Sequence, residues 1–432
     1  MTELFAAVTA EIDRIALTTR IGRLAELSGA SLRVEGLSRV ATLGDRVRIG
    51  PLGGEVLRLA TNGVTVLADG LPEGVAIGAE VALLGPAPIA PDDSWIGRII
   101  DPFGRPLDGR PLFGGPEARP VRAPPPPVAR RRALGTRFET GIAVFDTMLP
   151  LVRGQRIGLF AGSGVGKSSL LGKFARGVRA DVVVIGLVGE RGRELRDFTE
   201  KVLGPNGMAR SVVVTATSDR PATERRRCAW TAMAIAEHFR DQGLQVLLLI
   251  DSITRFAEAH REVALAGGEQ PALRGYPASV AHQIMALAER AGPGADAAGD
   301  ITAVFSVLVA GSDMEEPIAD ILRGVLDGHI VMERRIAERG RFPAIDLLKS
   351  VSRSLPDAAT EAENALISEA RRTLGAWERA EMMVQAGLYA KGSDPLVDTA
   401  IRIWPALDAF LAEDAPPEGI KGSFRRLAQC LK

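Results

Sequence analysis

Cysteine is nearly missing from this 432-residue chain: Cys228 and Cys430 are the only two. No disulfide framework can be built from them, and a reducing compartment is expected. Aromatic residues are scarce as well, and residues 22–92 contain no Phe, Tyr or Trp. A groove that stacks single-stranded bases needs such rings, so that segment speaks against an RNA-translocating machine. Charge of one sign is not in excess, with 53 Lys and Arg against 53 Asp and Glu, so no basic surplus marks a general nucleic-acid binder. The four histidines (238, 260, 282 and 329) have no metal-ligand spacing and read as structural. No apolar run approaches the roughly 20 residues that span a bilayer. The opening MTELFAAVTAEIDRIALTTR carries Glu3, Glu11, Asp13 and Arg14, which no signal-peptide core tolerates. A cytoplasmic protein of two or three domains is expected.

What is present changes character along the chain. Leu4, Val8, Ile12 and Ile15 recur at helical spacing behind Thr2, so residues 1–21 predict an amphipathic helix, packed on its own domain or offered to a partner. Over residues 22–92, SLRVEGL, RVRIG, EVLRLA, GVTVLA and EVALLG are separated by Gly, Asp and Asn turns, the pattern of a small β-barrel or sandwich. Residues 101–132 are rich in Pro and Gly and predict a connecting strap, with Arg130 to Arg132 read as solvated. From residue 153 the apolar runs QRIGLFAG, DVVVIGLVG, SVVVTATS, QVLLLIDS and ITAVFSVLVAG alternate with helix-compatible stretches. That rhythm predicts a parallel sheet with helices on both faces. Strand signals end near residue 355, and residues 356–432 predict an all-α domain. The α/β domain is accordingly placed at 93–355, strap included.

The chemistry concentrates in that α/β domain. AGSGVGKSS, Ala161 to Ser169, stands between the strand RIGLF and a helix-like run, the context of a P-loop. Gly162, Ser163, Gly164, Val165 and Gly166 let backbone N–H groups close around phosphate oxygens, and Lys167, Ser168 and Ser169 open the helix. Lys167 can supply charge to the β- and γ-phosphates of ATP, and the Ser168 hydroxyl can ligate Mg²⁺. Asp251 ends the apolar run LLLID and is the second candidate metal ligand. Its bland alternative is a helix cap. Glu190 follows the next apolar run after the P-loop, in VGERGREL. Ligands of parallel sheets bind beyond the carboxyl ends of the strands, so Glu190, Asp251 and the P-loop are expected on one edge. A carboxylate there can polarise the water that attacks a γ-phosphate. The other charges from Arg191 to Asp197 read as the first turns of a solvated helix.

PAIDLLKSVS, Pro343 to Ser352, makes the reading specific. With GERGRE and LLLIDSITRFA, it resembles the α/β family of F-type and V-type rotary ATPases over nearly the whole chain. Within that family, ILRGVLDGHIVMERRIAERGRFPAID and GLYAKGSDPLVD are most similar to the flagellum-specific ATPases of type III protein export, with the injectisome ATPases as close cousins. RPATERRRCAW is more basic than that branch's usual segment. The resemblance implies a Mg²⁺-dependent ATPase assembled as a homohexamer, with nucleotide at subunit interfaces. Arg353 would be an arginine finger acting on the neighbouring subunit's site, and Phe342 would pack on the adenine where the family commonly has tyrosine. Implied partners are a stator-like regulatory dimer at the N-terminal helix, a coiled-coil stalk in the central pore, export-gate membrane proteins and chaperone–substrate complexes, with no nucleic acid. The implied location is cytoplasmic, at the inner membrane through the export apparatus. A non-catalytic nucleotide-binding subunit is the competing reading, and Glu190 argues against it.

Overall fold

The computed structural model describes residues 8–10, 12, 17–309 and 314–432. Most of the expected N-terminal helix, including Thr2, Leu4 and Ile15, lies outside them. Residues 8–10 and 12 are helical.

Six strands close a barrel in the order β1-β2-β5-β4-β3-β6. They are β1 (Arg20–Ser28), β2 (Ser31–Glu35), β3 (Arg46–Ile49), β4 (Leu52–Ala60), β5 (Gly63–Ala68) and β6 (Glu80–Gly85). Alternation decides what fills it. In β2, Leu32 and Val34 are buried between partly exposed Ser31 and Arg33, and in β3 Val47 and Ile49 turn inward past Arg46 and Arg48. These side chains join Leu24, Val56, Val64, Val66 and Val81 in one apolar plug. Closure removes the unpaired edge that a sheet this small would otherwise expose.

The second sheet has the order β15-β14-β8-β13-β11-β9-β10-β7. Its strands are β7 (Ile99–Ile100), β8 (Arg156–Ala161), β9 (Val182–Val188), β10 (Ser211–Ala216), β11 (Val246–Asp251), β13 (Asp300–Leu308), β14 (Gly328–Met332) and β15 (Ile345–Ser352), with a short β12 (Gly292–Pro293) paired to β13. β14 and β8 to β11 with β13 run parallel, as the continuous apolar runs predict, but β15 returns antiparallel to β14. All seven residues of β9 are buried. Val182, Val184 and Val188 belong to the core on one face, and Val183, Ile185 and Leu187 to the core on the other. A strand covered on both faces loses the polar alternation seen in the barrel.

Among the described residues, nine α-helices have six residues or more: α1 (Lys167–Gly177), α2 (Gly192–Asp197), α3 (Ala222–Asp241), α4 (Ile253–Ala266), α5 (Ser279–Arg290), α6 (Pro317–Val325), α7 (Glu361–Gln385), α8 (Pro395–Phe410) and α9 (Gly419–Cys430). α7 starts on a capping box, Thr360 with Glu363, and α8 on Asp394 followed by Pro395. α7, α8 and α9 lay Ile367, Leu374, Ile403, Leu407, Phe410 and Phe424 onto the same core that α1 covers. No helix among the described residues is long and apolar enough to cross a membrane.

Two basic segments make contacts that the sequence does not announce. Arg130 and Arg132 are exposed, as read, and Arg131 is partly buried, yet all three are paired: Arg130 with Asp296, Arg131 with Glu289 at 3.0 Å and Arg132 with Asp300 at 2.6 Å. The strap therefore lies clamped on the α/β core. In RPATERRRCAW, Arg226 is buried and reaches Glu55 of the barrel at 2.5 Å, stacked over Trp230 and 3.3 Å from His260 Nδ1. The segment pins the barrel to the α/β core. Neither result has a local signal, because the partners stand more than 150 residues away in sequence.

Candidate active site

Sheet register brings the predicted residues to one edge. β8 ends at Ala161 and opens into the glycine loop, β9 ends at Val188 just before Glu190, and β11 ends at Asp251 opposite Leu187. The loop turns back on left-handed residues: Gly164 has φ 77° and Gly166, which caps α1, has φ 88°. A side chain at either position would be strained. Gly162, Ser163, Ser168 and Ser169 remain at least partly accessible, whereas the Val165 side chain is buried in the core. Only the backbone of Val165 can face a ligand.

Lys167 Nζ donates to Asp251 Oδ1. The same oxygen accepts a hydrogen bond from Ser306 Oγ at 2.6 Å, and Ser306 is fully buried on the adjacent strand β13. Sequence reasoning did not find Ser306, a single hydroxyl inside the apolar run FSVLVAG that carries no motif. Asp251 does not cap the following helix; Ser252 does, accepting from Arg255 N–H at 3.3 Å. The bland role for Asp251 is thus filled by its neighbour.

Glu190 is partly buried, and its backbone carbonyl is held by Ser218 N–H at 3.0 Å. Burial foremost, then a hydrogen bond with Glu194 and the charge of Asp251, push its carboxyl up to about 7, against the opposing pull of Lys167. A carboxyl titrating there can take a proton near neutral pH. Arg191, Arg193 and Arg196 are largely solvent-exposed, as the charge run predicts. Glu194 is the exception, since it both faces solvent and bonds the Glu190 carboxyl. Arg255 of α4 passes close to this segment: a Cβ placed on Gly189 would lie 3.4 Å from its own Cβ.

Phe342 and Arg353 separate. The half-exposed Phe342 ring sits over the P-loop, where a Cβ on Gly166 would meet it at 3.2–3.4 Å. Arg353 is exposed beyond the end of antiparallel β15, its N–H bonded to Asp327 O, and Asp327 N–H bonds Arg156 O at the start of β8. The P-loop begins at the other end of β8. Six strand residues put roughly 16 Å between these two edges. Arg353 is therefore remote from the Lys167, Glu190 and Asp251 of its own chain, and any action of it on such a site must be on another copy.

The donor set suits a hard cation that shares its shell with phosphate. Ser168 and Asp251 offer oxygen, and no cluster of three or more His, Cys, Asp or Glu among the described residues could hold a metal by itself. Mg²⁺ is commonly held this way, by one or two protein oxygens plus phosphates and water.

Comparison with known proteins agrees with this arrangement. Residues 141–352 match the model of the ATP synthase alpha/beta family nucleotide-binding domain, and residues 359–417 that of the T3SS EscN ATPase C-terminal domain. The flagellum-specific ATP synthase of Caulobacter vibrioides is 46% identical over 440 residues, covering 99% of each chain. The structure of the assembled ATPase EscN from the enteropathogenic E. coli type III secretion system covers 95% of this chain and 100% of its own, at TM-score 0.88 and 35% identity. The same ATPase in complex with its central stalk EscO gives TM-score 0.87 and 36% identity over the same shares.

Proposed function

Since the chain belongs to the ATP synthase alpha/beta family, in its flagellar and type III export branch, we propose that Glu190, Lys167, Ser168, Asp251 and Arg353 carry an ATP hydrolysis that supports export of flagellar proteins. The observation that carries this reading is the Glu190 carboxyl, raised to about 7, on the same sheet edge as Lys167 and Asp251.

In this reading the backbone amides from Gly162 to Ser169 cradle the phosphates, and Lys167 turns its ammonium from Asp251 to the β- and γ-phosphate oxygens. Ser168 and Asp251 would hold Mg²⁺, which would supply neutralisation of phosphate charge; Ser306 keeps the Asp251 carboxylate in place. Glu190 orients the attacking water and accepts its proton, which its pKa near neutrality allows. Phe342 forms the wall against the base. Arg353 reaches the γ-phosphate of a neighbouring copy, a contribution worth roughly 10³–10⁵ in rate in other NTPases. The functional unit is then a ring, and we take it to be a homohexamer with a coiled-coil stalk in its pore, by analogy with the assembled relative and its stalk complex.

The same reading places a stator-like regulatory dimer on residues 1–21, and export-gate membrane proteins and chaperone–substrate complexes on the assembled ring. It puts the protein in the cytoplasm at the inner membrane. We take the domains to be 22–92, 93–355 and 356–432, a division supported by the succession of barrel strands, parallel sheet and C-terminal helices.

Two experiments test it. Purified full chain with ATP and Mg²⁺ should release phosphate, and Lys167→Ala should abolish the release; no turnover in the unaltered protein would leave only a nucleotide-holding role. Deleting the gene should remove flagella. Normal flagella with lost effector secretion would transfer the protein to the injectisome branch.

A further inference from the structure

Arg341 stands directly before Phe342 and faces away from the nucleotide site, into the seam between the α/β core and the C-terminal helices. It is buried, at 9% exposure. Its Nε pairs with Asp408 Oδ1 of α8 at 3.1 Å, and its Nη2 donates to Ile345 O at the start of β15 at 2.8 Å. Two neighbours on the same connection are tied in parallel: Arg335 to Glu378 at 2.8 Å and Arg339 to Glu381 at 2.7 Å, both on α7. The stretch from Arg335 to Phe342 is therefore moored to two C-terminal helices, and its last residue rests on the P-loop at Gly166.

The mooring is not one of close packing. Beside it lies a cavity of about 60 Å³ lined by Leu374, Trp377, Trp404, Asp408 and Arg341 itself, with the two indoles stacked 5.2 Å apart. A well-packed core holds a side chain by its shape. Here shape leaves room, and the forked guanidinium fixes the direction by bonding two elements at once, which a lysine ammonium, without the planar fork, reproduces only in part.

We propose that Arg341 is a positioning residue: through its bonds to Asp408 and Ile345 it fixes the Phe342 ring over the P-loop, so that the C-terminal helices set how well the nucleotide base fits. This rests on the reading of Phe342 as the base-side wall. It goes beyond that reading by naming what aims the ring and which domain controls it. The cavity also makes the test practicable, because a shorter side chain at 341 has space to relax without a clash.

The experiment compares Arg341→Gln, Arg341→Lys, Asp408→Asn and Phe342→Ala in the full chain. It reads kcat and KM for ATP together with the inhibition constant of inorganic tripolyphosphate, which has the phosphates and lacks the base. Losing an aromatic contact costs roughly three- to tenfold in affinity. Arg341→Gln and Asp408→Asn should each raise KM for ATP by roughly that factor while kcat stays within about twofold. Arg341→Lys should recover part of the loss, and the inhibition constant of tripolyphosphate should not move. If tripolyphosphate weakens by the same factor as ATP, Arg341 is merely structural and the proposal falls. It falls equally if Phe342→Ala raises KM for ATP and neither Arg341→Gln nor Asp408→Asn does; the reading of Phe342 then survives. If Phe342→Ala leaves both constants unchanged, the base-side reading itself fails and takes the proposal with it.

Discussion

Replacing Glu190 by glutamine keeps the side chain's size and removes its charge, so one variant tests catalysis and stability together. The folded-state carboxyl titrates near 7, above its ordinary value of 4.5. Between those values the folded chain still holds a proton that the unfolded chain has released. Stability contributed by this group is therefore complete below about pH 4.5, is lost as pH rises through about 7, and changes no further above it. Each pH unit of the interval is worth about 1.4 kcal/mol. The side chain is only partly buried, and screening brings the total to on the order of 2 kcal/mol. Glu190→Gln should thus melt on the order of 2–4 °C higher than the unaltered protein at pH 8, and at the same temperature at pH 4.5. Turnover should fall by roughly 10²–10⁴, because the variant lacks the group proposed to accept the water's proton. The kcat/KM of the unaltered enzyme should climb with pH to a plateau, with a midpoint near 7. The assays are melting scans at the two pH values and steady-state phosphate release across pH 5.5–8.5. A variant that is no more stable at pH 8 and turns over near normally would refute both the burial of the charge and its use.

Two further outcomes rest on particular contacts. Gly166→Ala places a Cβ at φ 88° and within 3.2 Å of the Phe342 ring, so nucleotide binding measured by equilibrium titration should weaken at least tenfold while the fold persists. Arg226→Met leaves Glu55 buried without its cation and should cost roughly 3–5 kcal/mol in denaturant unfolding, whereas Arg226→Met with Glu55→Leu should recover most of it; equal loss in both variants would contradict the pin between barrel and core.

The legible parts of this site are those that depend on neighbours in sequence. The P-loop needs its glycines between a strand and a helix, and the strand-end positions of Glu190 and Asp251 follow from where the apolar runs stop. Buried strands such as β9 announce themselves because both faces are covered. Ser306 stayed hidden, since its partner Asp251 is 55 residues away and one hydroxyl in an apolar strand has no pattern. The ion pairs of the strap arginines, and the burial of Arg226 in RPATERRRCAW, were hidden for the same reason: their carboxylate partners are brought to them only by the fold. The family resemblance marked Phe342 and Arg353, yet nothing local says that one lies on the P-loop and the other at the opposite edge. That separation depends on β15 running antiparallel.

It also leads to the most direct test. If the hydrolytic site is completed between copies, Glu190→Gln retains a working Arg353 and Arg353→Ala retains a working Glu190. Each protein alone should be nearly inactive. Mixed in equal amounts under conditions that assemble the ring, about a quarter of the interfaces pair an intact Glu190 with an intact Arg353, and phosphate release should reappear from two inactive proteins. Co-assembled mixtures that stay inactive, or an Arg353→Ala protein that hydrolyses ATP normally by itself, would contradict a site shared between neighbouring subunits.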